Sequence, residues 1–258
     1  MEKRKFWNLF ILLAVYVVTI SFPLYLIPGI KDDIFVMQSI ELALRAAYLV
    51  FIILFSIFTK LAKNYNGKTN VKNLLLLLPL FLVAFMNIFY WGVVAHINFN
   101  NVFKDFGPEG NHSYEIMLLF TVLITVAEEE LLFRYILQKN LTIGHKIFRI
   151  LVTASIFAAC HFFELVFNHH GLFPPLESLQ ILLVFGIGII LGFLFEYTNN
   201  IFVPITFSLI YALCTDLFFP VAFTGVAPSY YITISCFAIG AAAYLVIFYF
   251  VMLKKENR

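Results

Sequence analysis

The sequence predicts an all-α membrane protein that crosses the bilayer about eight times. Three observations carry this prediction. Of the 258 residues, 62% are hydrophobic and only 12% are charged, where a soluble domain holds about 25% charged residues. Apolar runs close to the ~20 residues of a spanning helix recur along the whole chain. The lysines and arginines fall almost entirely on one side of those runs.

The runs lie at 6–27, 34–59, 73–97, 114–137, 149–167, 179–196, 201–219 and 230–252. The first follows Met1-Glu2-Lys3-Arg4-Lys5 and is longer than the roughly 7–15 apolar residues of a signal peptide, so it reads as a retained span. The second contains Glu41 and Arg45, whose spacing of four predicts an ion pair at the membrane edge. In the sixth, Gly186-Ile187-Gly188 reads as close helix packing, and Glu196 at its end marks the cytoplasmic interface. The seventh begins near Pro204, a residue tolerated in a first turn because its missing N–H would find no partner there.

With a cytoplasmic N-terminus, 13 of the 17 lysines and arginines lie inside, Lys31 and Lys104 lie outside, and Arg45 and Arg134 fall within spans. This asymmetry predicts cytoplasmic termini. No linker or repeat divides residues 1–258, which read as a single membrane domain. The net charge of +2 gives no sign of nucleic-acid binding. Cys160, Cys214 and Cys236 sit in apolar runs without a CxxC pair, so neither a disulfide framework nor a thiolate metal site is implied.

The fourth run holds Glu128, Glu129, Glu130 and Arg134 inside apolar sequence. Ionisable residues at such depth are costly and mark functional sites. Glu130 and Arg134 are four apart and pair on one helix face. Glu129 points about 100° away, lacks that partner and suits the role of general base. Glu128 has no assignment. Glu129 lies about 15 Å along its helix from the inner end near Lys139, and His161 about 18 Å along the next helix from Arg149. Antiparallel neighbours therefore bring the two to similar depth. Phe157, four residues before His161, can pack beside the imidazole, and Glu164 can hold it from the other side.

These residues resemble two motifs of the CPBP family of intramembrane proteases, which covers CAAX-type prenyl endopeptidases and Abi bacteriocin-processing or immunity proteins. The first, Glu-Glu-x-x-x-Arg, is Glu129-Glu130-Leu131-Leu132-Phe133-Arg134; the second, Phe-x-x-x-His, is Phe157-Ala158-Ala159-Cys160-His161. The resemblance covers about residues 114–215. It implies an endopeptidase in which Glu129 and His161 activate a water that attacks a peptide carbonyl, with Glu130, Arg134 and Phe157 in support. A third motif, His-x-x-x-Asn or His-x-x-x-Asp, is replaced: Ser208 stands at the histidine position and Ala212 at the last. Those positions resemble donors to the developing oxyanion, which makes Ser208 the candidate donor here, with Tyr211, Thr215 and Asp216 nearby.

A metal-dependent site has also been described for the family. The residues disfavour zinc as a cofactor, because catalytic zinc takes three protein ligands, HExxH is absent and only His161 lies deep. The expected partners are the lipid bilayer and a membrane-associated peptide or protein substrate. The Ser208 and Ala212 departures keep a second reading open, a protease-like scaffold that binds a membrane protein such as a sensor kinase, a cell-wall enzyme or a bacteriocin receptor. A transporter would be expected to show paired broken helices or inverted repeats, and a rhomboid-type protease a Gly-x-Ser-Gly sequence; neither is found. Composition points to a bacterial plasma membrane.

Overall fold

The computed structural model describes residues 3–22, 34–61, 112–142, 145–168, 178–212, 239–243 and 246. The expected span at 73–97 lies outside them, as do the end of the seventh and most of the eighth. Among the described residues the elements are helical throughout: α1 (Lys3–Ile20), α2 (Ile34–Phe58), α3 (His112–Glu129), a π-helical segment (Glu130–Gln138), α4 (Lys146–Asn168), α5 (Ser178–Thr198) and α6 (Phe202–Ala212). Among the described residues, three stretches are long and apolar enough to cross a membrane, Phe35–Phe58, Lys146–Phe167 and Ile181–Thr198; the shorter Phe202–Ala212 is also apolar.

The fourth run departs from a straight α-helix. α-Helical bonding ends at Glu129, and wider π bonding runs from Glu130 to Gln138. Such stretches are rare and frequently sit at functional sites. This one is almost wholly buried, with Glu130, Leu132, Phe133, Arg134, Ile136, Leu137 and Gln138 inside the protein.

The helices build two apolar clusters. Leu9, Leu12, Tyr16 and Ile20 of α1 meet Tyr48 and Ile52 of α2, Leu132, Phe133, Ile136 and Leu137 of the π segment, and Phe157 and Cys160 of α4. In the second cluster, Ile150 and Ala154 of α4 pack against Ile189, Ile190, Leu191, Phe193 and Leu194 of α5 and Phe207 of α6.

Polar ties fix the ends of the helices. Asn140 donates from Nδ2 to the carbonyls of Leu61 and Ile136 at 3.0 and 2.8 Å. Gln138 donates to the Gly192 carbonyl at 3.0 Å and to Glu196 at 3.2 Å. Glu196 also pairs with Arg149, so it joins α4, α5 and the π segment. Between α5 and α6, Asn199 adopts φ 46°, a left-handed conformation that asparagine tolerates. Asn200 Oδ1 then accepts from the Phe202 N–H at 2.9 Å, as an N-cap does.

Close packing of α5 on α4 takes place at Gly188, as expected for the 186–188 stretch, and also at Gly192. A Cβ on Gly188 would lie 3.2 Å from Ala154 Cβ and 3.3 Å from Phe157 Cδ1; one on Gly192 would lie 2.8 Å from Ile150 Cγ2. Ile150 is buried and has little room to retreat. Gly192→Ala is expected to destabilise the fold by about 1–3 kcal/mol through overpacking. Denaturant titration in detergent checks this, and a wild-type midpoint would contradict it.

Candidate active site

The three consecutive glutamates point to three different sets of partners. Glu128 Oε1 accepts from Arg45 Nη1 at 2.6 Å. Glu129 Oε1 accepts from the Tyr16 hydroxyl at 3.0 Å and faces His161 Nε2 at 3.6 Å. Glu130 Oε1 accepts from Ser208 Oγ at 2.8 Å, while its Oε2 lies 3.4 Å from Arg134 Nε. One short stretch thereby contacts α1, α2, α4 and α6. Side-chain directions about 100° apart in an α-helix explain this divergence, and it gathers charge from the whole bundle at one depth.

Each ionic group is held by a distinct device. Arg134 is fully buried, balanced by Glu130, and its guanidinium lies 5.1 Å from the Phe157 ring centroid. Attraction between a guanidinium and an aromatic face strengthens where water is excluded. The same ring also packs against the histidine, with the Phe157 and His161 ring centroids 4.4 Å apart at 64°. Phe157 therefore serves both Arg134 and His161. His161 Nδ1 lies 3.0 Å from the Phe157 carbonyl. A carbonyl only accepts, so Nδ1 carries the proton, and in the neutral ring Nε2 is the acceptor facing Glu129.

Two expectations change. Glu41 and Arg45 do pair, at 3.1 Å, but Arg45 is buried and continues inward to Glu128, beyond a mere edge contact. Glu164 makes no hydrogen bond to the imidazole, whose Nδ1 faces the Phe157 carbonyl; its Oε1 faces Arg45 Nη2 at 3.7 Å. Three carboxylates thus share Arg45. Sequence reasoning gave Tyr16 no role and left Glu128 unassigned. Arg45 had one available signal, a charge inside an apolar run; Tyr16 had none.

An open cavity of about 420 Å³ lies against these groups. It is lined by the polar and charged Glu41, Arg45, Glu129, Glu130, His161, Glu164 and Ser208 and by the apolar Leu183, Val184, Ile187 and Leu191. Tyr211 and Ala212 also line it; Thr215 and Asp216 lie outside the described residues.

Residues 111–214 match the family model described as Type II CAAX prenyl endopeptidase Rce1-like. This match supports a CPBP/CAAX protease assignment for that segment. No curated protein and no solved structure matches the chain. The matched segment holds both motifs and the departure at Ser208 and Ala212, and it excludes α1 and α2, which bring Tyr16 and Arg45.

The donor set does not fit a resident zinc. Glu129 and His161 are two ligands where three are usual, and the charged groups beside the glutamates are guanidinium cations. Among the described residues, no three of His, Cys, Asp and Glu are grouped as a metal site.

Proposed function

We propose that the chain is an intramembrane endopeptidase that hydrolyses a peptide bond of a membrane-associated peptide or protein. The observation that carries this reading is Glu129 and His161 meeting at 3.6 Å beside the open cavity. In the proposed reaction a water donates one hydrogen to Glu129 and the other to the His161 Nε2 lone pair. Its free lone pair then attacks the carbonyl carbon. Glu129 takes the proton as the C–O bond forms and returns it to the amide nitrogen as the C–N bond breaks, so one carboxylic acid and one amine leave. Arg134, Glu130 and Phe157 hold the two groups in place. The protein would span the membrane about eight times with both termini in the cytoplasm, in a bacterial plasma membrane.

Cleavage of peptides reconstituted with the protein in liposomes tests the reading, with Glu129→Ala and His161→Ala as the informative variants. Wild-type rates in both would remove these residues from the chemistry.

Ser208 is the proposed oxyanion donor. Its single proton rests on Glu130, and rotation of the hydroxyl would redirect it to a tetrahedral intermediate. Ser208→Ala is then expected to slow cleavage by about 100- to 1000-fold, the loss typical of one oxyanion donor. A loss of only a few-fold would leave Ser208 as a prop for Glu130.

Ser208 and Ala212 in place of the third motif favour a second reading, a protease-like scaffold that binds a membrane partner. A stoichiometric partner retained after Glu129→Ala, from a chain that cleaves nothing, would support it.

A further inference from the structure

Tyr16 comes from α1, outside the segment that matches the family, yet it touches the carboxylate proposed as the base. Its side chain is fully buried, and its hydroxyl donates to Glu129 Oε1 at 3.0 Å. The ring packs against Tyr48 at 5.6 Å and edge-on against Phe133 at 5.3 Å between centroids. Phe133 continues the contact edge-on to Phe157 at 4.9 Å, the ring that packs on His161. The phenol and the imidazole are therefore braced by one run of aromatic rings.

The two oxygens of Glu129 are not equivalent. Oε1 has the Tyr16 hydroxyl and faces His161, while no hydrogen bond from the described residues reaches Oε2. The terminal torsion of a glutamate is broad and two-fold, so an unheld carboxylate would present either oxygen in a range of directions. We infer that Tyr16 is a positioning residue that pins Oε1 of Glu129 and thereby aims Oε2 at the water in the cavity. The inference rests on the hydrolytic reading for its effect on rate, but the pinning itself can be read without catalysis. A buried tyrosine hydroxyl commonly finds some partner; a partner that merely satisfies it would leave the rate untouched.

Tyr16→Phe separates these cases, because it keeps the ring and removes one hydroxyl. Misplacing a reacting group by a fraction of its working geometry costs up to about 100-fold, so kcat is expected to fall about 10- to 100-fold with KM unchanged. Tyr48→Phe, which removes a hydroxyl from the same cluster without touching Glu129, is expected to retain wild-type kcat. Difference infrared spectra give a second readout: the carboxylate bands lost in Glu129→Gln are expected to shift in Tyr16→Phe and not in Tyr48→Phe. Wild-type kcat in Tyr16→Phe, equal losses in the two tyrosine variants, or unshifted Glu129 bands would overturn the inference. If the unaltered protein cleaves no peptide, the hydrolytic reading fails by itself, and the infrared comparison still decides whether Tyr16 holds the carboxylate.

Discussion

Glu129→Gln is expected to lower the rate of peptide cleavage by about 100- to 10,000-fold, the range for loss of a general base, while leaving the fold close to wild type. The amide keeps the shape of the carboxylate and an oxygen that can accept from Tyr16, but it cannot take a proton from water. The adjacent glutamates provide the contrast. Glu128 is the buried counter-charge of Arg45, and Glu130 that of Arg134. Glu129 has no arginine of its own among the described residues and makes its contacts with a hydroxyl and an imidazole. Neutralising Glu128 or Glu130 therefore leaves a buried cation short of its partner, whereas neutralising Glu129 does not. Single-turnover cleavage in liposomes beside unfolding in detergent distinguishes the three variants: only Glu129→Gln should lose rate with its unfolding midpoint retained. A wild-type rate in Glu129→Gln would rule out its role as base.

Arg45→Met is expected to have the largest effect on stability, about 3–5 kcal/mol, the cost of removing one partner from a buried ion pair. Methionine fills much of the same volume without charge. Glu128, fully buried, would lose its 2.6 Å partner, and Glu164 and Glu41 would lose the cation they share with it. The penalty comes from the stranded carboxylate more than from the lost attraction, because a buried pair replaced as a unit is often neutral in stability. The double variant Arg45→Met with Glu128→Leu should accordingly recover a large part of the loss. Unfolding midpoints of the two single variants and the double variant measure the coupling. An additive result would show that Arg45 is not the counter-charge of Glu128.

Much of the site was legible in the residues themselves. A spacing of four predicted that Glu130 and Arg134 would pair and that Phe157 would lie beside His161, because neighbours on a helix surface are set by local geometry. Counting helical rise in two antiparallel runs brought Glu129 level with His161, and the structure has them 3.6 Å apart. Gly188 was likewise read as a close-packing position, because a missing side chain invites a neighbouring helix wherever the two run side by side.

Other contacts could not be read in advance. Tyr16 reaches Glu129 across 113 positions and Arg45 reaches Glu128 across 83. In a water-soluble helix the polar face declares which side turns inward. A membrane helix is apolar on most sides, so its sequence fixes neither its rotation nor its neighbour. The change to π bonding at Glu130 has no local signature either, and it belongs to the same packed interior.

The amino-acid sequence by itself determined the membrane class, the helical runs that the described residues cover and the local pairs within them, because those depend on composition and on spacing along one helix. The tertiary structure alone decided which partner each of three adjacent glutamates received, because that depends on how α1, α2, α4 and α6 turn toward one buried stretch of charge.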